Sequence, residues 1–384
     1  MQQNFNNQQT DSPASVPAKQ SKVVIMYLLW DEEPKRYLED AIEGVAKQSY
    51  DHDLIEFLIV YNSHKPEHQS QAPYIREELE KNKHRLPHFS LLDQEKNLGF
   101  SGGNNLGKKW AIDHKFDYVF LHNGDGYLGR ECIEKLVEEM DKDPQVGVAQ
   151  SLILLHPDTH LVNSTGNEFH YLGFGYTNEY KKPLSEVSLP AVKDIGYASG
   201  AAIMMRTDLL EQFGLWDEDY FMYHEDTDYS LRMKMLGKRV VVVRDSIFYH
   251  KYQFSKSIQK YYWMERNRYT ILFVFYRIPT ILLLLPILIP LEIGLFLFSI
   301  KNGWWKEKIR VYMYWLNPKN WSTWKAKRAF VQTHRTISDR VLLKDAATGI
   351  YFQEKAVESP LLTHVANPVM KLYYALIVKP FLRW

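Results

Sequence analysis

Short apolar segments alternate with amphipathic segments over the first half of the chain, and this alternation limits the possible folds more than any other feature. The strand-like runs begin at Val23, Ile55, Phe89 and Tyr118. Strands that alternate with helices over about 150 residues predict an α/β fold, with a mostly parallel sheet and helices on both faces. Ligands of such sheets bind at the carboxyl ends of the strands, which here are residues 61–63 and 122–125.

A second constraint is the apolar run at residues 278–300, in which Glu292 is the only charged residue. A helix of this length could cross a hydrocarbon core of about 30 Å. Because the run contains Pro279, Pro286 and Pro290, a kinked helix, a re-entrant hairpin or an anchor in the membrane plane would fit equally well. The remaining alternative is a buried helix of a globular domain.

The tail beyond this run is basic and rich in tryptophan. Residues 301–384 carry 15 Lys and Arg against 5 Asp and Glu, whereas the net charge of the whole chain is +1. Six of the ten tryptophans lie in the tail, at Trp304, Trp305, Trp315, Trp321, Trp324 and Trp384. Tryptophan and cations beside an apolar segment predict a membrane interface on the cytoplasmic side. We therefore expect an anionic membrane, and no nucleic acid, as the partner of the tail.

Residues 1–21 predict a disordered leader, because they are rich in Gln, Asn, Ser and Pro and contain no apolar run. The same composition argues against a signal peptide. Cys132 is the only cysteine, so the chain has no internal disulfide and gives no indication of an oxidising compartment.

The segment from Asn97 to Gly107 reads NLGFSGGNNLG and predicts a Gly- and Asn-rich turn before a helix. Glycines let the backbone approach a phosphate or sugar closely, and the N–H groups at the start of a helix favour an anion. The segment nearly matches a P-loop, since four residues separate Gly102 from Gly107-Lys108. We reject a P-loop, because Lys109 replaces the hydroxyl residue that binds magnesium and no clean apolar strand precedes the segment.

Two groups of carboxylates are candidates for chemistry. Asp125 ends the turn Asn123-Gly124-Asp125 after an apolar strand, where a carboxylate can hold a cation that bridges phosphate oxygens. The second group is DEDYFMYHEDTD at residues 217–228. An EF-hand is excluded, because the glycine of its sixth position is absent and aromatic residues fill ligand positions. At a helix start Glu225 and Asp226 are stabilised as anions, so one of them could act as a general base.

Five motifs in this order resemble the family 2 glycosyltransferases, in particular their rhamnosyltransferase-like branch. They are NLGFSGGNN at 97–105, NGD at 123–125, YASGAA at 197–202, FMYHEDTD at 221–228 and FYH at 248–250. The resemblance covers roughly residues 22–270. It implies a GT-A fold, which is Rossmann-like with a mostly parallel sheet, and inversion at the anomeric carbon.

The resemblance also implies roles for individual residues. Asp226, with Glu225 beside it, would deprotonate the acceptor hydroxyl, and Asp125 and His250 would hold Mn²⁺ or Mg²⁺ against the donor diphosphate. The acceptor would contact Ser199, Gly200 and Ala201. The implied donor-binding residues are Tyr61, Asn62, Asn97, Gly99, Gly102, Gly103, Asn104, Asn123, Arg266 and Arg268. The two arginines could equally contact lipid head groups or lie on an exposed helical face.

Two positions depart from the family pattern. Asn123 stands where the family usually has the first Asp of its Asp-x-Asp motif. Tyr61 stands where the second strand normally ends in an Asp that hydrogen-bonds the nucleobase. A tyrosine could stack on the base, so the choice between uridine and thymidine donors is open.

The expected organisation is a leader at 1–21, a GT-A catalytic domain at 22–255, an aromatic and basic helix at 256–277, a membrane segment at 278–300 and a basic, Trp-rich region at 301–384. We predict transfer of a hexose or deoxyhexose from a nucleoside-diphosphate sugar to a lipid-linked or other membrane-held saccharide, at the cytoplasmic face of the membrane. The oligomeric state is open. The alternatives are a nucleotidyltransferase, which would release pyrophosphate, and an inactive membrane-bound scaffold.

Overall fold

The computed structural model describes residues 21–63, 66–252, 261–351 and 360–384. Apart from Ser21, the predicted leader lies outside the described residues. Twelve strands lie within the described part of the chain: β1 Val23–Leu29, β2 Ile55–Asn62, β3 His88–Gln94, β4 Tyr118–His122, β5 Gly126–Leu128, β6 Val146–Leu155, β7 Val162–Ser164, β8 Asn167–Phe169, β9 Gly175–Thr177, β10 Val192–Asp194, β11 Ala202–Arg206 and β12 Arg239–His250.

Ten of these strands form one sheet, in the order β10-β12-β6-β11-β4-β1-β2-β3 with β5 on β12 and β7 on β6. Strands β4, β1, β2 and β3 are parallel to their neighbours in that series, and β6 is parallel to β12. The sheet is nevertheless mixed, because β11 runs antiparallel between β4 and β6. The first residue of β11, Ala202, pairs with His122, the last residue of β4, so the chain enters β11 at the edge of the sheet where β4 ends. A parallel strand would instead require a crossover connection back to the opposite edge.

The α-helices of the described residues are α1 Lys35–Ala46, α2 Ala72–Asn82, α3 Gly99–Asp113, α4 Cys132–Lys142, α5 Thr207–Phe213, α6 Glu225–Met235, α7 Tyr261–Phe275, α8 Ile278–Lys301, α9 Trp305–Leu316, α10 Pro318–His334, α11 Asp339–Leu342, α12 Asn367–Tyr373 and α13 Lys379–Phe381. Alternate residues of β1 face opposite layers, since Ile25 packs with α1, α2 and α4, and Met26 packs with α3, α5 and α6. Helices therefore cover both faces of the sheet, as predicted.

The Gly- and Asn-rich segment after β3 is mostly helical, where the sequence predicted a turn. Helix α3 begins at Gly99 and contains Gly102, Gly103 and Gly107. These glycines let the helix approach the sheet, because a Cβ on Gly107 would lie 2.0 Å from the Met26 Sδ, and one on Gly103 would lie 2.8 Å from the Leu28 Cδ1. Close packing of the helix on β1 thus explains part of the glycine pattern.

The carboxyl-terminal part forms a second, helical core that joins α7–α11 with residues 360–381, hereafter the C-terminal helical segment. Helix α8 is long and apolar enough to cross a membrane by length and composition, and it is the only such helix in the described part of the chain. Glu292 of α8 accepts a hydrogen bond of 2.9 Å from Arg268 of α7. The tryptophans of this region do not form an exposed belt. Trp305 is exposed, but Trp304 and Trp324 are buried in the protein.

Candidate active site

Residues at the carboxyl ends of the strands form the candidate site. The pairing of β5 with β12 sets Gly126 opposite His250, and this brings Asp125, the residue before Gly126, next to the imidazole ring of His250. Asp125 Oδ1 lies 2.8 Å from His250 Nε2, and Asn123 Nδ2 donates to the same oxygen over 2.6 Å. Burial acts to raise the pKa of Asp125, but the adjacent His250 outweighs it and the net shift is downward. The structure therefore brings Asn123, Asp125 and His250 together.

A divalent cation fits the Asp125–His250 pair. The Nδ1 of His250 lies 2.9 Å from the Oδ1 of Asn163, an oxygen that can only accept, so Nδ1 carries a hydrogen. A protonated His250 ring donates from Nε2 to Asp125, whereas in the neutral ring Nε2 carries a lone pair beside the carboxylate. A divalent cation can then take the place of the proton between the two atoms. Imidazole nitrogen and carboxylate oxygen are suitable ligands for Mn²⁺ and Mg²⁺. The described residues contain no group of three or more His, Cys, Asp or Glu placed for a metal, so phosphate and water would supply the other ligands.

Glu33 is an acidic residue of this edge that the sequence analysis missed. Its carboxylate lies over Gly124, where an added Cβ would approach Oε2 to 2.3 Å. The indole of Trp30 donates to Oε1 over 3.0 Å. Burial, together with the charge of Asp125, raises the pKa of Glu33 to about 8. The only sequence feature that could have indicated Glu33 as a residue of this edge is its position shortly after β1.

Helix α6 begins with the two predicted catalytic acids, Glu225 and Asp226, and follows a strained loop. Phe221, Tyr223 and His224 have φ values of 63°, 64° and 68°, a conformation that costs non-glycine residues about 1–3 kcal/mol each. Burial and the neighbouring Asp226 raise the pKa of Glu225 to about 8. Burial also raises the pKa of Asp226, but backbone N–H groups bonded to its carboxylate oppose this shift. The two acids thus lie in different environments, and the ionised form is better stabilised at Asp226.

The segment 199–201 connects this base to the Asp125 turn. The backbone N–H of Gly200 donates to Asp226 Oδ2 over 3.0 Å, and the N–H of Asn123 donates to the carbonyl of Ala201 over 3.0 Å. The N–H of Ser199 donates to the buried Gln150 side chain over 2.7 Å. One short segment, predicted to contact the acceptor, therefore positions both groups of carboxylates.

Asn267 of α7 holds the strained loop in place. Its side chain is fully buried, and Nδ2 donates to the carbonyls of Tyr220, Met222 and Tyr223 over 3.1, 2.9 and 2.7 Å. Arg266 Nε donates to the Oδ1 of Asn267 over 2.8 Å, which orients the amide. The sequence indicates the arginines on either side of Asn267 as site residues but not Asn267 itself, because the partners of its side-chain amide nitrogen are backbone atoms.

The two arginines predicted to bind the donor have protein partners. The Arg266 guanidinium donates to the carbonyl of Tyr220 over 3.2 Å, in addition to its bond with the Asn267 side chain. Arg268 is 1% exposed and forms ion pairs with Glu265 and Glu292. The structure places Arg266 behind the loop that precedes the predicted base, Asp226, and Arg268 in the interface between α7 and α8. Neither arginine lies on an exposed helical face.

Tyr61 is placed differently from the prediction, because its ring is fully buried in the core and has no face open to a nucleobase. Its hydroxyl donates to Asp31 Oδ1 over 2.7 Å and accepts from the backbone N–H of Gln71 over 2.7 Å. Ser63 donates to the same oxygen of Asp31 over 2.6 Å. A carboxylate is therefore present near the end of β2, but it comes from the segment that follows β1.

The predicted donor residues of the 97–104 segment lie around Asn62. The Asn62 side chain donates to Asn97 Oδ1 over 3.1 Å and to the carbonyl of Gly99 over 3.0 Å. A Cβ on Gly99 would lie 3.1 Å from the ring of Phe221. The loop that precedes Asp226 therefore packs over the turn at Gly99. Gly102, Gly103 and Asn104 lie in the first two turns of α3, and Asn104 is fully buried.

Comparison with known proteins gives matches over this part of the chain. The sequence model of a family described as Glycosyltransferase like family 2 matches residues 23–269. The N-acetylglucosaminyl-diphospho-decaprenol L-rhamnosyltransferase of Mycobacterium tuberculosis is 27% identical over 192 residues, which are 44% of this chain and 60% of that protein. The low-salt glycan biosynthesis hexosyltransferase Agl10 of Haloferax volcanii is 25% identical over 207 residues, which are 53% of this chain and 58% of that protein. The matches thus span less than two thirds of these relatives.

A crystal structure of GalNAc-T7 with UDP, GalNAc and Mn²⁺ is similar in fold. The TM-score is 0.52 at 13% identity, over 66% of this chain and 48% of that chain. At this identity the similarity concerns the fold alone, and it confirms the predicted GT-A architecture.

The buried hydroxyl of Tyr61 generates a stability prediction. Tyr61→Phe should lower the free energy of unfolding by about 1–3 kcal/mol, because the Gln71 N–H and Asp31 each lose a partner. Denaturant unfolding measures the change. Tyr74→Phe is the matched control, because its hydroxyl bonds Glu39 at the surface, and its effect should stay within about 0.5 kcal/mol. Equal losses in the two variants would contradict a special role for the buried hydroxyl.

Proposed function

The chain belongs to glycosyltransferase family 2 and is a glycosyltransferase, and from this premise we propose its reaction. It transfers a hexose or deoxyhexose from a nucleoside-diphosphate sugar to a lipid-linked saccharide, with inversion at the anomeric carbon. The transfer takes place at the cytoplasmic face of a membrane and requires a divalent cation. The observation that carries the proposal is the 199–201 segment, which bonds both the Asp226 side chain and the backbone of the turn that contains Asp125.

Asp226 is the general base in this proposal. Its carboxylate is held by the N–H groups of Gly200 and Thr227, over 3.0 and 2.6 Å, so it is oriented before substrate binds. It takes the proton of the acceptor hydroxyl while that oxygen attacks the anomeric carbon and the bond to the nucleoside diphosphate breaks. Glu225 has a pKa raised to about 8, which makes it the weaker candidate for an anionic base at neutral pH.

Asp125 and His250 would hold the cation, and Asn163 keeps the His250 ring in the required tautomer. When bound, a divalent cation offsets the negative charge on the departing diphosphate. The donor then lies along Asn62, Asn97 and Gly99, with Asp31 and Ser63 near the nucleobase. This assignment replaces the stacking role considered for Tyr61.

The acceptor proposal draws on the curated relatives. The name of the mycobacterial relative specifies a rhamnosyl transfer to N-acetylglucosaminyl-diphospho-decaprenol. The name of the haloarchaeal relative specifies a hexosyl transfer in glycan biosynthesis. Both are compatible with a lipid-linked saccharide as acceptor. The apolar helix α8 and the basic region 301–384 support a membrane location, and we retain 22–255 as the catalytic domain.

Nucleotide sugars tested with the purified full-length protein provide the direct assay. We expect release of a nucleoside diphosphate and labelling of a lipid-linked saccharide with one class of donor. Release of pyrophosphate would indicate the nucleotidyltransferase alternative. Donor binding without turnover, across a panel of lipid-linked acceptors, would favour the inactive scaffold.

Asp226→Asn tests the base. Turnover should fall by roughly 10²–10⁴-fold, because a general base contributes about that much, while the donor dissociation constant stays nearly unchanged. Glu225→Gln is the comparison, and its turnover should fall less. If Asp226→Asn turns over normally and Glu225→Gln does not, the role of base passes to Glu225.

Asp125→Ala tests the cation site. Direct Mn²⁺ binding, followed by the paramagnetic resonance signal of free Mn²⁺ in the presence of donor, should weaken by at least about tenfold, since one anionic ligand is lost. Excess EDTA should abolish transfer by the unmodified protein. Asp113→Ala is the control, because Asp113 pairs with Lys109 at the surface. Full activity in EDTA would exclude a required cation.

Asn267→Asp tests the loop that carries the base. The substitution preserves size but turns an acceptor toward three carbonyl oxygens, so the loop should lose its geometry. We expect kcat to fall at least about tenfold, since small misplacements of reacting groups have large effects. Donor affinity should fall by less, because Phe221 is the residue of this loop that lies over the Gly99 turn. Asn317→Asp is the control, because Asn317 accepts from the Lys319 N–H and an Asp can do the same. A parallel loss of donor affinity and kcat would indicate general unfolding instead.

A further inference from the structure

Helix α8 presents one apolar stripe along its whole length. The stripe consists of Ile278, Leu282, Leu285, Ile289, Ile293, Leu297 and Ile300, which recur every three or four positions and are each between 38% and 60% exposed. A helix of 24 residues is about 36 Å long at 1.5 Å per residue. The stripe contains no polar side chain. It therefore forms a continuous apolar ridge, which a soluble protein rarely leaves in water.

The opposite side of α8 is attached to the protein from end to end. Near its start, Thr280 is fully buried and donates to the carboxylate of Asp339. In its second half, Glu292 accepts from Arg268 over 2.9 Å and from the Tyr312 hydroxyl over 2.8 Å. Near its end, Ser299 is fully buried. Helix α8 therefore has one side packed on the protein and the other side open along its full length. Neither end of the helix projects beyond the rest of the protein.

Charges behind α8 oppose a bilayer-spanning orientation. Arg268 and Lys308 are at most 1% exposed, and both pair with Glu265 and with Glu292. If α8 crossed the membrane, these two cations and two carboxylates would lie at hydrocarbon depth, where ionised groups are costly. Helix α7 would enter with them, although its Asn267 bonds the loop before Asp226.

The C-terminal helical segment adds a second stripe beside α8. Leu361, Val365, Val369, Leu372 and Leu376 follow the same spacing and are between 49% and 67% exposed. The Tyr373 hydroxyl donates to the carbonyl of Leu283 over 2.7 Å, so the segment packs along α8. Pro290 and Gly294 of α8 line a groove of about 300 Å³ together with Leu361, Val365 and Val369. The exposed residues of the two helices therefore adjoin and belong to one surface.

Helix α9 borders α8 on its other side. Leu285 and Ile289 of α8 line a groove of about 660 Å³ together with Trp315 and Leu316 of α9. Both elements that border α8 carry exposed cations, which are Lys306 and Arg310 of α9 and Lys371 and Lys379 of the C-terminal helical segment. Cations beside an apolar surface complement the negative charge of anionic lipid head groups.

We infer that α8 and the C-terminal helical segment lie in the plane of one membrane leaflet, with their apolar stripes in lipid and α8 crossing no bilayer. The inference rests on the membrane location in the proposed function and is independent of the sugar that is transferred. The occupant of the surface is an anionic lipid bilayer.

Depth measurements on the full-length protein test the inference. Cys132 is buried, and burial raises the pKa of its thiol to about 11, so introduced cysteines can be labelled selectively. A nitroxide is attached in turn to Ile278→Cys, Ile289→Cys and Ile300→Cys on α8 and to Leu372→Cys. Lys81→Cys on α2 is the aqueous control, because the Lys81 side chain is exposed. The variants are placed in vesicles of phosphatidylcholine and phosphatidylglycerol at 3:1, and collisions with oxygen and with a water-soluble nickel complex report depth.

We expect the same shallow depth, about 5–10 Å, at the three α8 positions and at Leu372→Cys. Binding to phosphatidylcholine alone should be at least about tenfold weaker at low salt, because the cationic contribution is lost. A profile in which the label at Ile289→Cys is deepest and the other two α8 labels lie near opposite head groups would overturn the inference in favour of a spanning helix.

Two further results would also overturn it. Labels as accessible to nickel as the one at Lys81→Cys would mean that the stripes are not in lipid. Dipolar broadening between labels at Ile289→Cys in vesicle-free protein, without membrane depth, would mean that a second copy of the chain covers the surface. The depth readings require no turnover, so failure of the glycosyltransfer assay leaves their outcome interpretable.

Discussion

The geometry of the catalytic loop depends on one buried carboxamide. Asn267 donates to the carbonyls of Tyr220, Met222 and Tyr223. These bonds hold a loop in which Phe221, Tyr223 and His224 have positive φ values. Without these bonds the strain would relax, and Asp226 would no longer be fixed against the Gly200 N–H. The next residue, Arg268, is paired with Glu292 of α8. One turn of α7 therefore connects the loop before the proposed base to the apolar helix, so the candidate site and the proposed membrane surface are parts of one packed unit.

The sequence predicted the overall fold because its determinants are local. Every residue of β1 is buried, and Leu38, Ala41, Ile42 and Val45 of α1 form the inward face that their spacing predicts. The direction of β11 could not be predicted, since strand direction depends on which edge the chain reaches after a long irregular connection. The helical state of the 97–107 segment was also missed, because its glycines are explained by contacts with Met26 and Leu28, far away in sequence.

The candidate site was predictable where a motif carries a side chain, and not where a partner is distant. Asp125, His250 and Asp226 were identified from motifs, and the structure brings the first two within hydrogen-bonding distance. Asp31, Glu33 and Asn267 were missed, because each acts through contacts across the edge of the sheet or with backbone carbonyls. Tyr61 shows the reverse case, since a replaced family residue suggested a stacking ring, whereas its hydroxyl supports the Asp31 carboxylate from the segment that follows β1.

The short link between α7 and α8 has a geometric consequence. Only Tyr276 and Arg277 separate the two helices, and the backbone N–H of Arg277 is bonded to the buried Asp339 over 2.8 Å. If α8 lies along a leaflet, as we infer, this corner would set a fixed height of the proposed base above the lipid surface. A sugar hydroxyl tethered closer to or farther from its lipid anchor would miss that height. The fold would then act as a ruler, selecting acceptors by the length of the tether as well as by the sugar at its end.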